Sequence, residues 1–177
     1  MRNHSERISR TRCVCECLVY FVDPAFESLS FSEVETETGS VVTSRVTRAV
    51  RNRARHRCEY CLFPDGYVPM PFEIVHIIST QHGGGDEFEN LALACLSCNR
   101  HKGSNLAGID RSTSQTKLVR LFHPRRHLWK AHFLWDGPRL IGRTAIARVT
   151  ITVLNMNSER AVSTRQMLMR QGLFFEK

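Results

Sequence analysis

Four cysteines stand in two equally spaced pairs, Cys58-x-x-Cys61 and Cys95-x-x-Cys98, with a histidine and two asparagines set among and beside them. Two intervening residues let both sulfurs of a pair reach one metal at about 2.3 Å, so the four thiolates suit a tetrahedral structural zinc site. His76 lies in the apolar run Ile74-Val75-His76-Ile77-Ile78, Asn90 precedes Leu91-Ala92-Leu93-Ala94, and Asn99 directly follows Cys98. An imidazole accepts a proton near neutral pH. An asparagine offers oxygen to a hard cation, and a metal clamp would hold both groups at the ångström precision that catalysis needs. A proton acceptor for water and a cation that neutralises charge on phosphate and leaving oxygen are what phosphodiester hydrolysis requires.

The flanking sequence indicates how these groups are positioned. Ser44 can cap a helix in which Val46, Ala49, Val50 and Ala54 recur at helical spacing, with Arg48, Arg51, Arg53, Arg55 and Arg57 covering the remainder. That face could grip phosphates or simply be solvated. Pro64-Asp65-Gly66 marks a turn, and residues Phe72 to Ile78, rich in β-branched side chains, read as extended. Gly83-Gly84-Gly85 forces a loop. A short helix from about Leu96 is expected to stop at Gly103. The order is knuckle, strand, loop, knuckle, helix, which places His76 on a strand and Asn99 on the helix facing it.

Beyond Lys117, Asp136-Gly137 reads as a hairpin turn between Leu134-Trp135 and Leu140-Ile141. Thr144–Leu154 and Ser158–Gln171 are helix candidates, the second stopped by Gly172. Trp129, Phe133 and Trp135 are expected to pack this segment onto the cysteine-bearing part rather than stack on bases. Acidic and hydroxyl residues alternate over 33–40, so residues 1–43 are expected to be poorly ordered. The Cys13-x-Cys15-x-Cys17 run has no knuckle spacing and no matching partner pair.

At 177 residues, 42% hydrophobic and 24% charged, the chain has the composition of a soluble globular protein. It contains no run of apolar residues long enough to span a membrane and no cleavable leader pattern. A cytoplasmic location is therefore expected, where cysteine pairs hold metal more often than they form disulfides. The net charge of +8 is uneven: residues 1–45 carry five basic against seven acidic side chains, and the remainder 20 against 10. So basic a region attracts polyanions, nucleic acid first among them.

With these residues in this order, the chain resembles the HNH endonucleases. The resemblance is carried by Arg57-Cys58-Glu59-Tyr60-Cys61, Ile74-Val75-His76-Ile77-Ile78, His82-Gly83-Gly84, Asn90-Leu91-Ala92-Leu93-Ala94-Cys95 and Cys98-Asn99-Arg100-His101-Lys102-Gly103. It implies an α+β fold: a ββα-metal core over residues 44–106, stapled by structural zinc on Cys58, Cys61, Cys95 and Cys98. A C-terminal helical extension over 107–177 would pack on that core, and the tail 1–43 would precede it. The resemblance further implies that His76 is the general base and that Asn90 fixes the loop and the histidine. Asn99 would help bind a catalytic divalent cation, magnesium or manganese. Arg57, Arg100 and Lys102 would contact nucleic acid, double-stranded DNA in the first instance.

One position departs from the family pattern. Relatives place an acidic metal ligand immediately before the histidine, where this chain has Val75. Glu73 shares the strand face of Val75 but is about 6–7 Å further along, a long reach for the same ion. The alternative to a nuclease is thus a nucleic-acid-binding zinc module that keeps the scaffold without catalysis. At the level of single residues, His76 could instead be a packed strand histidine, Asn99 a capping residue and Asn90 a loop former.

Overall fold

The computed structural model describes residues 43–112 and 116–174, all within one compact unit. The tail expected over residues 1–43, Thr43 apart, and the Cys13-x-Cys15-x-Cys17 run lie outside the described residues. Helix α1 spans Ser44–Arg53, and its cap is Thr43, whose hydroxyl accepts the Val46 N–H at 3.4 Å. The helix therefore begins where expected, with the capping residue one position earlier than Ser44. Val50 is its fully buried contact with the core.

Two arginines of α1, Arg51 and Arg53, turn back into the fold. Arg51 donates to the Asp65 carboxylate and to the Phe72 carbonyl, both at 2.7 Å. Arg53 donates to the carbonyls of Phe88 at 3.0 Å and Leu91 at 2.6 Å, with its guanidinium 4.0 Å from the Phe88 ring centre. Carbonyls at strand ends have no ladder partner, and these guanidinium groups supply one. Arg48 and Arg55 are left on the exposed side of this segment.

Strands β1 (Glu73–His76) and β2 (Leu91–Ala94) pair antiparallel, with Glu73 opposite Ala94 and His76 opposite Leu91. All of β2 is buried, whereas β1 is buried only at Val75 and leaves Glu73 exposed. Helix α2 (Leu96–Lys102) follows β2 directly and ends at Gly103, whose φ of 47° suits glycine. The expected order of knuckle, strand, loop, knuckle and helix is present, with β2 as the second strand that the resemblance implies.

Beyond residue 106 the hairpin expected at Asp136-Gly137 is present, and a second hairpin precedes it that a helical extension does not imply. In chain order the hairpins are β3 (Ala107–Asp110) with β4 (Lys117–Arg120) and β5 (Phe133–Asp136) with β6 (Arg139–Gly142). Helices α3 (Trp129–His132), α4 (Ala145–Val153) and α5 (Glu159–Arg170) complete the segment. Strand β3 lies tightly on α4: a Cβ at Gly108 would sit 2.7 Å from the Val153 side chain and 2.9 Å from that of Val149. An Arg148–Asp110 ion pair at 2.6 Å closes the same contact.

Aromatic side chains join this segment to the first cysteine pair. The Trp129 indole N–H donates to the Tyr60 carbonyl at 2.9 Å, and Trp129 stacks on Phe133 and Trp135. These rings pack inward, as their apolar bulk requires. Glu59 forms a second tie. Its carboxylate accepts the Leu93 N–H at 2.9 Å, pairs with Arg125 and lies 3.6 Å from Arg53. Its side chain is 10% exposed and that of Arg125 is 12%. Glu59→Gln would leave guanidinium charge buried without its anion, at an expected cost of about 3 kcal/mol in folding free energy. Urea unfolding of the purified variant beside the wild type measures this, and an unchanged midpoint would show the pair to be energetically idle.

Candidate metal and nuclease site

Both cysteine pairs are shaped by the backbone around them. In the first, the Cys58 N–H donates to the Phe63 carbonyl at 2.9 Å, and the Leu62 N–H to the Cys58 carbonyl at 2.8 Å. Leu62 takes a φ of 55° to close this turn. In the second, Cys95 is the N-cap of α2, and its sulfur accepts the Cys98 N–H at 3.5 Å. The four Sγ atoms lie within 4.8 Å of one another, and Cys61 and Cys95 are 3.8 Å apart. Sulfurs about 2.3 Å from one tetrahedral centre stand at nearly that separation.

Four thiols this close cannot all ionise without a cation, and their proton affinities diverge accordingly. Hydrogen bonding from Cys58 and its neighbours holds Cys95 far below the usual thiol range. Cys61 and Cys98 are pushed up, first by hydrogen bonding to Cys58 and then by burial. The donor set fits zinc in element, number and spacing, and it is closed to solvent as a structural site should be. The only group of three or more histidine, cysteine or acidic side chains able to hold an ion among the described residues is this one.

Asn90 organises the loop between β1 and β2. Its Oδ1 accepts the Ile78 N–H at 2.9 Å, and its Nδ2 donates to the carbonyls of Ile78 at 2.9 Å and Gly85 at 2.7 Å. One carboxamide thus pins both ends of the glycine loop. Gly84 is required there, because a Cβ would fall 1.9 Å from the Ile78 oxygen and 2.8 Å from Asn90 Nδ2. The pinned loop delivers Asp86 to the strand: its Oδ1 lies 2.6 Å from His76 Nε2. The imidazole is a quarter exposed, so it can meet a substrate while one edge is held.

Asn99, one turn into α2, donates its Nδ2 to the Glu73 carboxylate. The helix residue thus meets Glu73 at the exposed end of β1. Two carboxylates thus border the expected site residues: Glu73 beside Asn99, and Asp86 beside His76. Neither was singled out as a ligand from sequence. Asp86 follows three glycines, whose conformational freedom conceals where the loop returns; the best hint was a carboxylate one residue past that run.

Of the residues expected at nucleic acid, Arg100 is exposed on α2. Lys102 is not available: it is 3% exposed, its ammonium donates to the Gly103 carbonyl at 3.3 Å, and burial lowers its pKa. It lies on the helix face that packs inward. Arg57 likewise serves the fold, donating to the carbonyls of Leu62 at 3.1 Å and Phe174 at 3.0 Å. It ties the first knuckle to the C-terminal segment.

Comparison with known families agrees with this geometry. Residues 58–105 match the family model described as HNH endonuclease, a stretch that begins at Cys58 and takes in His76, Asn90 and Asn99. No curated protein and no solved structure matches the chain. A buried four-cysteine clamp, a strand histidine on its carboxylate and a helix asparagine beside another thus all lie within the stretch, residues 58–105, that is similar to the HNH endonuclease family.

Proposed function

We propose that residues 44–106 are a metal-dependent endonuclease module that hydrolyses phosphodiester bonds in double-stranded DNA, supported by the segment 107–177. The observation that carries this proposal is the 2.6 Å contact between His76 Nε2 and Asp86. With its Nε2–H given to Asp86, the ring keeps its lone pair on Nδ1, ready to take a proton from water. Asp86 holds the ring in that tautomer and stabilises the imidazolium that forms. Asn90 acts one step further back by fixing the loop that carries Asp86.

Glu73 and Asn99 are the residues that would hold a magnesium or manganese ion. Both offer oxygen, the donor class such hard ions prefer, and one or two protein ligands suffice when substrate phosphate and water complete the shell. When bound, the ion supplies charge neutralisation at the phosphate and leaving oxygen. The net charge of +8 and the exposed Arg45, Arg48, Arg55 and Arg100 favour a polyanionic substrate. No helix among the described residues is long and apolar enough to cross a membrane. The site of action we propose is cytoplasmic, where paired cysteines hold metal more often than they form disulfides.

Supercoiled plasmid provides the test. Nicked or linear product is expected with magnesium or manganese, none with chelator, and progressively less as salt rises. Glu73→Gln and Asp86→Asn are each expected to lower the rate ten- to a hundredfold, about the usual cost of losing a supporting carboxylate. Tight binding without cleavage in any divalent metal would refute the nuclease and leave a scaffold that only binds.

A further inference from the structure

A surface cleft of about 250 Å³ lies between the end of α1 and the start of α3, and its lining includes Arg53, Arg55, Glu59, His127, Leu128 and Trp129. Most of these residues fall outside the family match. The chain around the cleft breaks local rules. Arg55 and His56 are consecutive non-glycine residues in the left-handed region, with φ of 50° and 53°, a conformation that is costly for a residue with a side chain. Leu128 is 79% exposed and stands at the N-cap of α3 without a side-chain hydrogen bond, where serine or asparagine would serve better. Positive charge is also in surplus. The Arg53 and Arg125 guanidinium groups share Glu59, the one carboxylate among the lining residues, and Nε of each is buried without a hydrogen-bond partner among the described residues. Burial, and then Arg53, push Arg125 down to about 10. Conflicts of this kind between local preference and fold collect where a ligand is held.

The groups around the cleft point to the ligand's chemistry. Arg55 is exposed beside Arg53, and Leu128 supplies an apolar lip. His127 supplies a donor: its Nδ1 accepts the His123 N–H at 3.1 Å, which places the ring proton on Nε2. Burial, His132 and Arg126 lower its pKa and so favour that neutral ring. Guanidinium groups, an N–H donor and an apolar lip suit a phosphate joined to an apolar face, which is the make-up of one nucleotide. The volume is just below the roughly 300 Å³ at which pockets for drug-sized ligands begin, so it has no room for a duplex. Arg53 also ties the cleft to the candidate nuclease strands, because it donates to the Leu91 carbonyl at 2.6 Å and Leu91 stands opposite His76. We infer that this cleft holds one unpaired nucleotide of the DNA strand, its phosphate at Arg55 and the His127 Nε2–H, and its base or sugar against Leu128. Enzymes that extrude a nucleotide hold it in this way, between apolar side chains and polar donors. The inference rests on the nucleic-acid reading of the substrate, and it makes a duplex with an extruded nucleotide the preferred form.

The test is fluorescence anisotropy with the zinc-loaded full chain and labelled DNA duplexes, one fully paired and one carrying a single unpaired nucleotide. Magnesium and manganese are withheld so that no strand is cut. The wild type is expected to bind the second duplex about tenfold more tightly, within the range that packing one base on a protein contributes. Leu128→Asn supplies a better cap, so its melting temperature should hold or rise while the preference disappears. Arg55→Gly relieves the left-handed strain and should likewise melt no lower. It should nevertheless weaken both duplexes, with the slope of log affinity against log salt falling by about one. His56→Gly relieves the same strain outside the cleft lining and should bind as the wild type does. Equal wild-type affinity for the two duplexes, a preference retained in Leu128→Asn, or an unchanged salt slope in Arg55→Gly would overturn the inference. The nuclease reading fails separately: plasmid cleavage without any preference for the unpaired nucleotide would sink the cleft alone, and a preference without cleavage would support the cleft and sink the nuclease.

Discussion

Replacing His76 with alanine is expected to slow plasmid cleavage by about two to four orders of magnitude, the usual contribution of a positioned general base. The structure makes this a clean substitution. His76 is the last residue of β1, its imidazole is a quarter exposed, and its hydrogen-bond partner Asp86 is itself 43% exposed. Losing the ring therefore leaves no buried polar group stranded, and the melting temperature should hardly change. Zinc content should be unaltered, because the cysteines bond to none of these atoms. Equal cleavage by His76→Ala and wild type would remove this imidazole from the mechanism. A variant that loses zinc together with activity would show that the histidine supports the fold.

Stripping the structural metal, or substituting Cys98 with serine, is expected to abolish the cooperative melting transition of the domain. The elements that the metal joins are too small to persist by themselves. Strands β1 and β2 have four residues each and form a two-stranded sheet, and α2 has seven. Isolated hairpins are marginal, and helices below about 12 residues rarely form alone. Structural zinc binding contributes roughly 10–16 kcal/mol at neutral pH, comparable with or larger than the whole net stability of a domain. Cys98 is 2% exposed and begins the turn that carries Asn99, so its loss should disorganise the candidate active site as well. Circular dichroism during titration with a strong chelator, with released zinc followed by an indicator, measures both effects together. A chelated protein that still melted in one sharp transition would show that its apolar core suffices.

How far the sequence foretold this molecule depends on the origin of each constraint. The cysteine pairs, β1, α2 and the two long C-terminal helices were legible, because metal-ligand spacing, β-branching and helical periodicity are local properties. The β3–β4 hairpin was not. Leu118 within it is 70% exposed, and the tight seat of Gly108 on Val149 and Val153 depends on a helix about forty residues away. Lys102 and Arg57 carried the charge expected of phosphate contacts, but only tertiary packing decides which side of α2 and of the first knuckle faces solvent. The same holds for Glu73 and Asp86. The first was judged by its distance along an isolated strand; the second was hidden behind three glycines. A helix side chain and a pinned loop brought both into place.

The junction built by Trp129 also makes the protein its own indicator. The chain has two tryptophans, Trp129 and Trp135, and both belong to one ring stack. One of their indoles is anchored to a carbonyl between Cys58 and Cys61. Tryptophan emission from this molecule therefore originates entirely at the seam between the thiol clamp and the C-terminal segment. Its colour and intensity offer a label-free optical gauge of whether that seam is closed.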